Sequence, residues 1–145
     1  MRSRTKFAGL AVLVASLFLS AATTQAQQPR PKVLAKGKFH DADKAGKGTA
    51  TVYKLANGKR VLRLSNFATD NGPDLHVRLI AADDAKDTAS VAKTDHVELG
   101  KLKGNKGSQN YDVPEKVDLS KYKVVSIWCN RFSVNFAAAP LKAAK

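Results

Sequence analysis

Cysteine, methionine and tryptophan each occur once in 145 residues, and aromatic residues make up only 7% of the chain. With Cys129 alone, no intramolecular disulfide framework, four-cysteine zinc or iron–sulfur site, or Cys-x-x-Cys-His haem attachment can be written. The one Met is Met1, which leaves no methionine ligand for copper or haem in a folded domain. Proline and glycine are few, 5 and 9, against 43% hydrophobic residues, which excludes a collagen-like, low-complexity or wholly disordered chain. Beyond residue 26 no apolar pattern of helical period is sustained, so crossover helices and the parallel sheet they would serve are excluded. Acidic residues are outnumbered by basic ones, 12 to 25, for a formal charge of +13.

The only long apolar run, Phe7 to Leu19, is too short for a membrane span of roughly 20 residues. It follows Arg2, Arg4 and Lys6 and precedes Thr24-Gln25-Ala26, whose small residues suit a signal peptidase. This predicts a signal peptide over residues 1–26 and an exported protein, periplasmic or extracellular, with no membrane insertion after cleavage. Cleavage removes three basic residues and no acidic one, leaving about +10. Lysine dominates that charge and acids are interleaved along the chain, which predicts a solvated basic surface with weak, salt-screened binding to anionic polymers. No basic helix or arginine–aromatic stripe suggests nucleic-acid binding.

Residues 27–36, polar and proline-containing, read as a linker before a single domain over 37–142. Thr49 to Leu55 is rich in β-formers, Asn57-Gly58 supplies two positive-φ positions for a tight hairpin, and Val61 to Leu64 returns. Asn71-Gly72-Pro73-Asp74 is a dense turn signal, and Leu75 to Ile80 alternates as a strand whose core face holds Leu75, Val77 and Leu79. Residues 81–95 suggest a short helical turn or an irregular loop, Val97 to Leu99 a short strand, and Lys103 to Asn110 a loop before an extended Tyr111 to Val113. Val124 to Cys129 is the strongest strand, followed by a polar break at Asn130-Arg131 and an extended Phe132 to Phe136. Tyr111, Tyr122, Trp128, Phe132 and Phe136 are expected in the core. Many short strands punctuated by turns predict an all-β antiparallel sandwich, barrel-like.

Cys129 supports two readings. By period-two alternation it faces the core with Val125 and Ile127 as a small hydrophobe. Alternatively the break at Asn130-Arg131 ends the strand and exposes the sulfur near a cation, with Trp128 beside it. His40, His76 and His96 each lie near carboxylates, but a metal site needs three or four converging ligands. His76 is placed on the outward face of its strand, and could pair with Cys129 as imidazole and thiolate if the two strands are neighbours. The glycines between Lys103 and Gly107 lack phosphate-loop spacing, and no nucleophile elbow occurs, so no self-sufficient enzyme site is expected.

Taken in order, several segments together resemble the DM13 domain family. They include Gly37 to His40, Gly48 to Ala50, Asn66-Phe67, Asn71 to Val77, Leu99 to Asn105, Gln109 to Tyr111, Val117 to Leu119 with Tyr122, Ile127 to Cys129 with Arg131-Phe132, and Ala139 to Leu141. The resemblance implies a small exported electron-transfer module whose characteristic cysteine is Cys129, acting as a naked thiol or as ligand to a prosthetic group such as haem. Relatives in larger proteins sit beside DOMON-type sandwich domains, associated with haem and membrane cytochromes. A unit alone would need a separate redox partner protein. Adhesion to envelope or matrix polymers with a structural Cys129, and haem or copper binding through Cys129 and His76, are the alternative functions.

Overall fold

The computed structural model describes Gly9 and residues 20–145, so Arg2, Arg4, Lys6 and nearly all of Phe7 to Leu19 lie outside the described residues. The rest is all-β, with no helix among the described residues. In chain order the strands are β1 (Lys32–Lys38), β2 (His40–Asp41), β3 (Gly46–Lys54), β4 (Arg60–Thr69), β5 (Leu75–Ile80), β6 (His96–Lys101), β7 (Lys106–Val113), β8 (Val124–Cys129), β9 (Val134–Pro140) and β10 (Lys142–Ala143). They form two antiparallel five-stranded sheets, β10-β1-β3-β4-β7 (sheet I) and β2-β9-β8-β5-β6 (sheet II). The result is a sandwich and not a closed barrel.

Alternation decides which side chains meet between the sheets. In β7 the residues Gln109, Tyr111 and Val113 are buried while Asn110 and Asp112 are exposed. Leu62 and Leu64 of β4, Val52 of β3, Val77 and Leu79 of β5, and Val125 and Ile127 of β8 complete the same interior. Every residue of β8 except Trp128 is buried, which alternation over one core does not explain. The reason is a second, smaller cluster on the outer face of sheet II. There Ala85 and Val91, from the irregular segment 81–95, pack on Ile80, Val124 and Ala138 with Trp128 alongside.

Several sequence expectations are corrected. Five of the ten residues expected in a linker, Lys32 to Lys36, belong to β1, because Lys32 to Lys38 pairs along β3. The hairpin after β3 has one positive-φ residue, Gly58, and not two. Its amide donates to the Leu55 carbonyl at 3.0 Å, so the turn is longer than a two-residue hairpin and glycine takes its left-handed position. Lys106 to Asn110, expected in a loop, forms the first half of β7 against β4. Phe132 is not in the core: it lies at the tip of the β8–β9 turn with 61% of its surface exposed. Trp128 packs with the outer cluster, not between the sheets.

Candidate functional site

Cys129 ends β8 on the inward face, with 0% exposure, as a free thiol inside the main core. Its cross-strand partners are Leu75 on β5 and Val134 on β9. The expectation of a sulfur exposed by the strand break is therefore corrected: the chain stays extended through Cys129, and the turn begins one residue later. Arg131 lies on the exposed tip of that turn.

β5 and β8 are neighbours, as a pairing of His76 with Cys129 requires, but the register forbids it. His76 stands opposite Trp128, and Leu75 stands opposite Cys129. Residues directly opposite share a face, so the imidazole points out of sheet II while the sulfur points into the sandwich. One haem iron or copper ion cannot bridge two sides of a sheet. A porphyrin also needs open space at its axial sulfur, and Cys129 is enclosed by apolar side chains, so the residues present do not fit a haem on Cys129. Among the described residues no group of three or more His, Cys, Asp or Glu is arranged to hold a metal ion.

On the outer face His76 is only 7% exposed, held between two carboxylates. Its Nε2 lies 2.8 Å from Asp74 Oδ1, and its Nδ1 contacts Glu98 Oε1. Both carboxylates accept, so satisfying them together takes two N–H donors from one ring. Next along β5, the Arg78 guanidinium stacks on the Trp128 ring at 4.9 Å and donates to Asn130 Oδ1 at 2.7 Å. Burial lowers the Arg78 pKa from its ordinary value, against the pull of Glu98. Asn130 donates its backbone N–H to the Asp74 carbonyl at 2.9 Å, which ties the β8–β9 turn to the Asn71–Asp74 turn. Sequence reading singled out Trp128, Asn130 and His76 but missed Asp74, Arg78 and Glu98. The available signal was spacing: Asp74, His76 and Arg78 lie two apart, which brings them to one side of an extended chain.

Around Leu75 the sandwich opens into a cleft of about 260 Å³ lined by Asn71, Gly72, Pro73, Asp74, Leu75, Lys101, Leu102 and Asn105. Its walls are built by polar bonds. Leu102 donates its N–H to the Leu75 carbonyl at 2.8 Å, and Gln109 braces Lys103 and Gly104 through both ends of its amide. Gly72 sits so close to Leu75 and Phe136 that an added Cβ would lie 2.7 Å from Leu75 Cδ2. The turn thus presses on Leu75, and Leu75 is the cross-strand neighbour of Cys129. Leu75 therefore both lines the cleft and neighbours the thiol, which itself does not line it.

Comparison with known proteins matches residues 38–141 to the family described as electron transfer DM13. No curated protein and no solved structure matches the chain.

Proposed function

The chain belongs to the electron transfer DM13 family, and on that premise we propose that it is an exported redox accessory whose Cys129 thiol changes oxidation state in exchange with a separate partner protein. The observation that carries this reading is that Leu75, the cross-strand neighbour of the chain's one thiol, also lines the Asn71–Asp74 cleft. The N-terminal pattern of Arg2, Arg4 and Lys6 before an apolar run supports export to the periplasm or beyond.

In this reading Leu75 moves aside to open the buried sulfur to the cleft. A hydroperoxide entering it has its O–O bond broken by the sulfur. One oxygen stays on sulfur as sulfenic acid, and the other leaves as water or an alcohol. Two thiols of the partner then return Cys129 to the thiol, releasing water and leaving the partner with a disulfide. The partner is the electron donor, and Leu75 sets how easily either reagent reaches the sulfur.

The test is alkylation of Cys129 by iodoacetamide in the folded protein, with Leu75→Ala and the milder Leu75→Val beside it. Leu75→Ala costs about 2–5 kcal/mol, so folding is checked by melting and Leu75→Val provides a folded control. Faster alkylation in both variants, at a rate independent of global unfolding, supports the gate. Modification that follows the unfolding rate in all three proteins overturns it, as does unchanged partner-dependent redox activity in Cys129→Ala.

A further inference from the structure

We propose that the outer face of sheet I is a docking surface for an anionic polysaccharide chain. The basic charge is not spread evenly, as the sequence suggests, but gathered by the strand order. The strands of sheet I carry three lysines in β1, two in β3, two arginines in β4 and one lysine each in β7 and β10, against the single carboxylate of Asp112. The strands of sheet II balance Arg78 and Lys101 with Asp41 and Glu98.

Register places part of this charge on one flat face. Lys142, Lys36, Thr51, Arg63 and Asn110 stand opposite one another across all five strands, and Lys38 lies in the next outward row opposite Thr49. Lys36 and Arg63 are two strands apart, about 10 Å at ordinary strand spacing. None of Lys36, Lys38, Arg63 and Lys142 is in an ion pair among the described residues. Beside them lies a cleft of about 500 Å³ in which Arg30 and Arg63 flank a floor of Pro31, Tyr53, Leu55 and Val61.

The shape of the apolar part favours a sugar chain over a lipid surface. Interfacial membrane binding drives projecting apolar groups into the headgroup boundary. Here Tyr53, Leu55 and Val61 are half-buried in the lining of a groove, and the exposed large hydrophobe, Phe132, lies in the β8–β9 turn, away from the strands of sheet I. A ring-shaped sugar stacks its apolar face on Tyr53, while its carboxylates or sulfates meet the flanking guanidinium and ammonium groups.

The probes are a sulfated oligosaccharide, heparin decasaccharide, and a polyuronate, with phosphatidylglycerol vesicles and a charge-matched single-stranded oligonucleotide as competitors. The charge-reversed pair Lys36→Glu with Arg63→Glu is compared with Lys86→Glu and Lys93→Glu, an equal change of net charge on segment 81–95 over sheet II. The first pair weakens saccharide binding by about tenfold or more and the second leaves it within about twofold, because screening confines the effect of each charge to its own face. Tyr53→Thr keeps a strand-favouring residue and the net charge, and it also weakens binding; melting curves confirm that each variant is folded. Equal loss in both charge pairs, no effect of Tyr53→Thr, or tighter binding to vesicles or to the oligonucleotide than to the saccharides overturns the proposal.

Discussion

Cys129 has no exposed surface and apolar neighbours, so what replaces it decides what an experiment measures. Serine is the usual substitute, but it places a hydroxyl among Leu75, Val77 and Ile127, at a cost of about 1–3 kcal/mol without a partner. Alanine removes the sulfur and leaves a small void, a loss near the lower end of that range. Cys129→Ser is therefore expected to melt several degrees below Cys129→Ala, with one kcal/mol worth roughly 4–8 °C in a domain of this size. Equal melting temperatures would mean that the hydroxyl finds a partner and that the sulfur's surroundings are not apolar. Alanine is accordingly the variant for redox tests, since loss of activity in the serine variant conflates chemistry with stability. Sequence alternation placed Cys129 on the core side as one of two readings. What decided between them was that β8 stays paired with β5 and β9 through Cys129, which depends on long-range pairing and leaves no local mark.

Segment 81–95 shows why the strands were legible and their cover was not. The period of two marks β5 and β8, but the residues that bury the outer face of sheet II are Ala85 and Val91 in an irregular stretch with no periodicity. Polar anchors hold the segment. Asn135 donates to the Ala85 carbonyl at 3.2 Å and accepts from Ser126 at 2.8 Å, its backbone N–H donates to Thr88 at 2.8 Å, and Asp43 accepts from the Thr88 hydroxyl. His40, on the short edge strand β2, adds a titratable clasp. Its Nδ1–H donates to the Asp41 carbonyl at 2.7 Å, and its Nε2 faces Asp84 at 2.6 Å. Burial pulls the His40 pKa down, but the Asp41 carbonyl and the Asp84 carboxylate outweigh it and raise it above 6.5. Burial pushes Asp84 up, and its bonds to His40 and the Ala85 N–H, with Lys86 nearby, leave it lowered. A raised histidine stabilises the fold fully below its unfolded pKa and loses that contribution as pH climbs through the folded value. A lowered carboxylate contributes above its unfolded pKa and fails as pH falls through the folded one. The clasp is thus strongest between about pH 4 and 6.5, the unfolded values of the two groups, and is modest because both side chains are about one-third exposed. From pH 5.5 to 8.5 the melting temperature of the native protein should fall further than that of His40→Gln, with protease cuts within 81–95 rising in parallel. Every group other than His40 is common to both proteins, so the difference isolates the clasp. Parallel pH curves for the two proteins would show that the clasp contributes nothing.

Net charge was readable from composition, but its segregation was not, because it arises from strand order: β10 returns from the far end of the chain to set Lys142 opposite Lys36. A row of three cations, Lys32, Lys54 and Arg60, crosses β1, β3 and β4 in the same way. Like charges directly opposite in a sheet are destabilising, while opposite charges contribute roughly 0.2–1 kcal/mol per pair. Lys54→Glu converts the row into two attractive contacts. Arg60 is already turned toward the backbone of 114–117, donating to the Glu115 and Val117 carbonyls at 2.9 and 2.8 Å, so Lys32 is the more available partner. The variant should melt a few degrees above the native protein at low ionic strength, with the gain shrinking as salt screens the contacts. Native stability should itself rise with added salt, since screening relieves the same repulsion that the substitution removes. A variant that melts lower at every salt concentration would show that Lys54 contributes something besides charge, such as packing of its alkyl stem at the sheet's end. If the gain appears, the native arrangement of sheet I is costly to the fold alone. A polyanion on that sheet would then raise the melting temperature of the native protein by binding the folded state, and would raise it less in Lys36→Glu with Arg63→Glu.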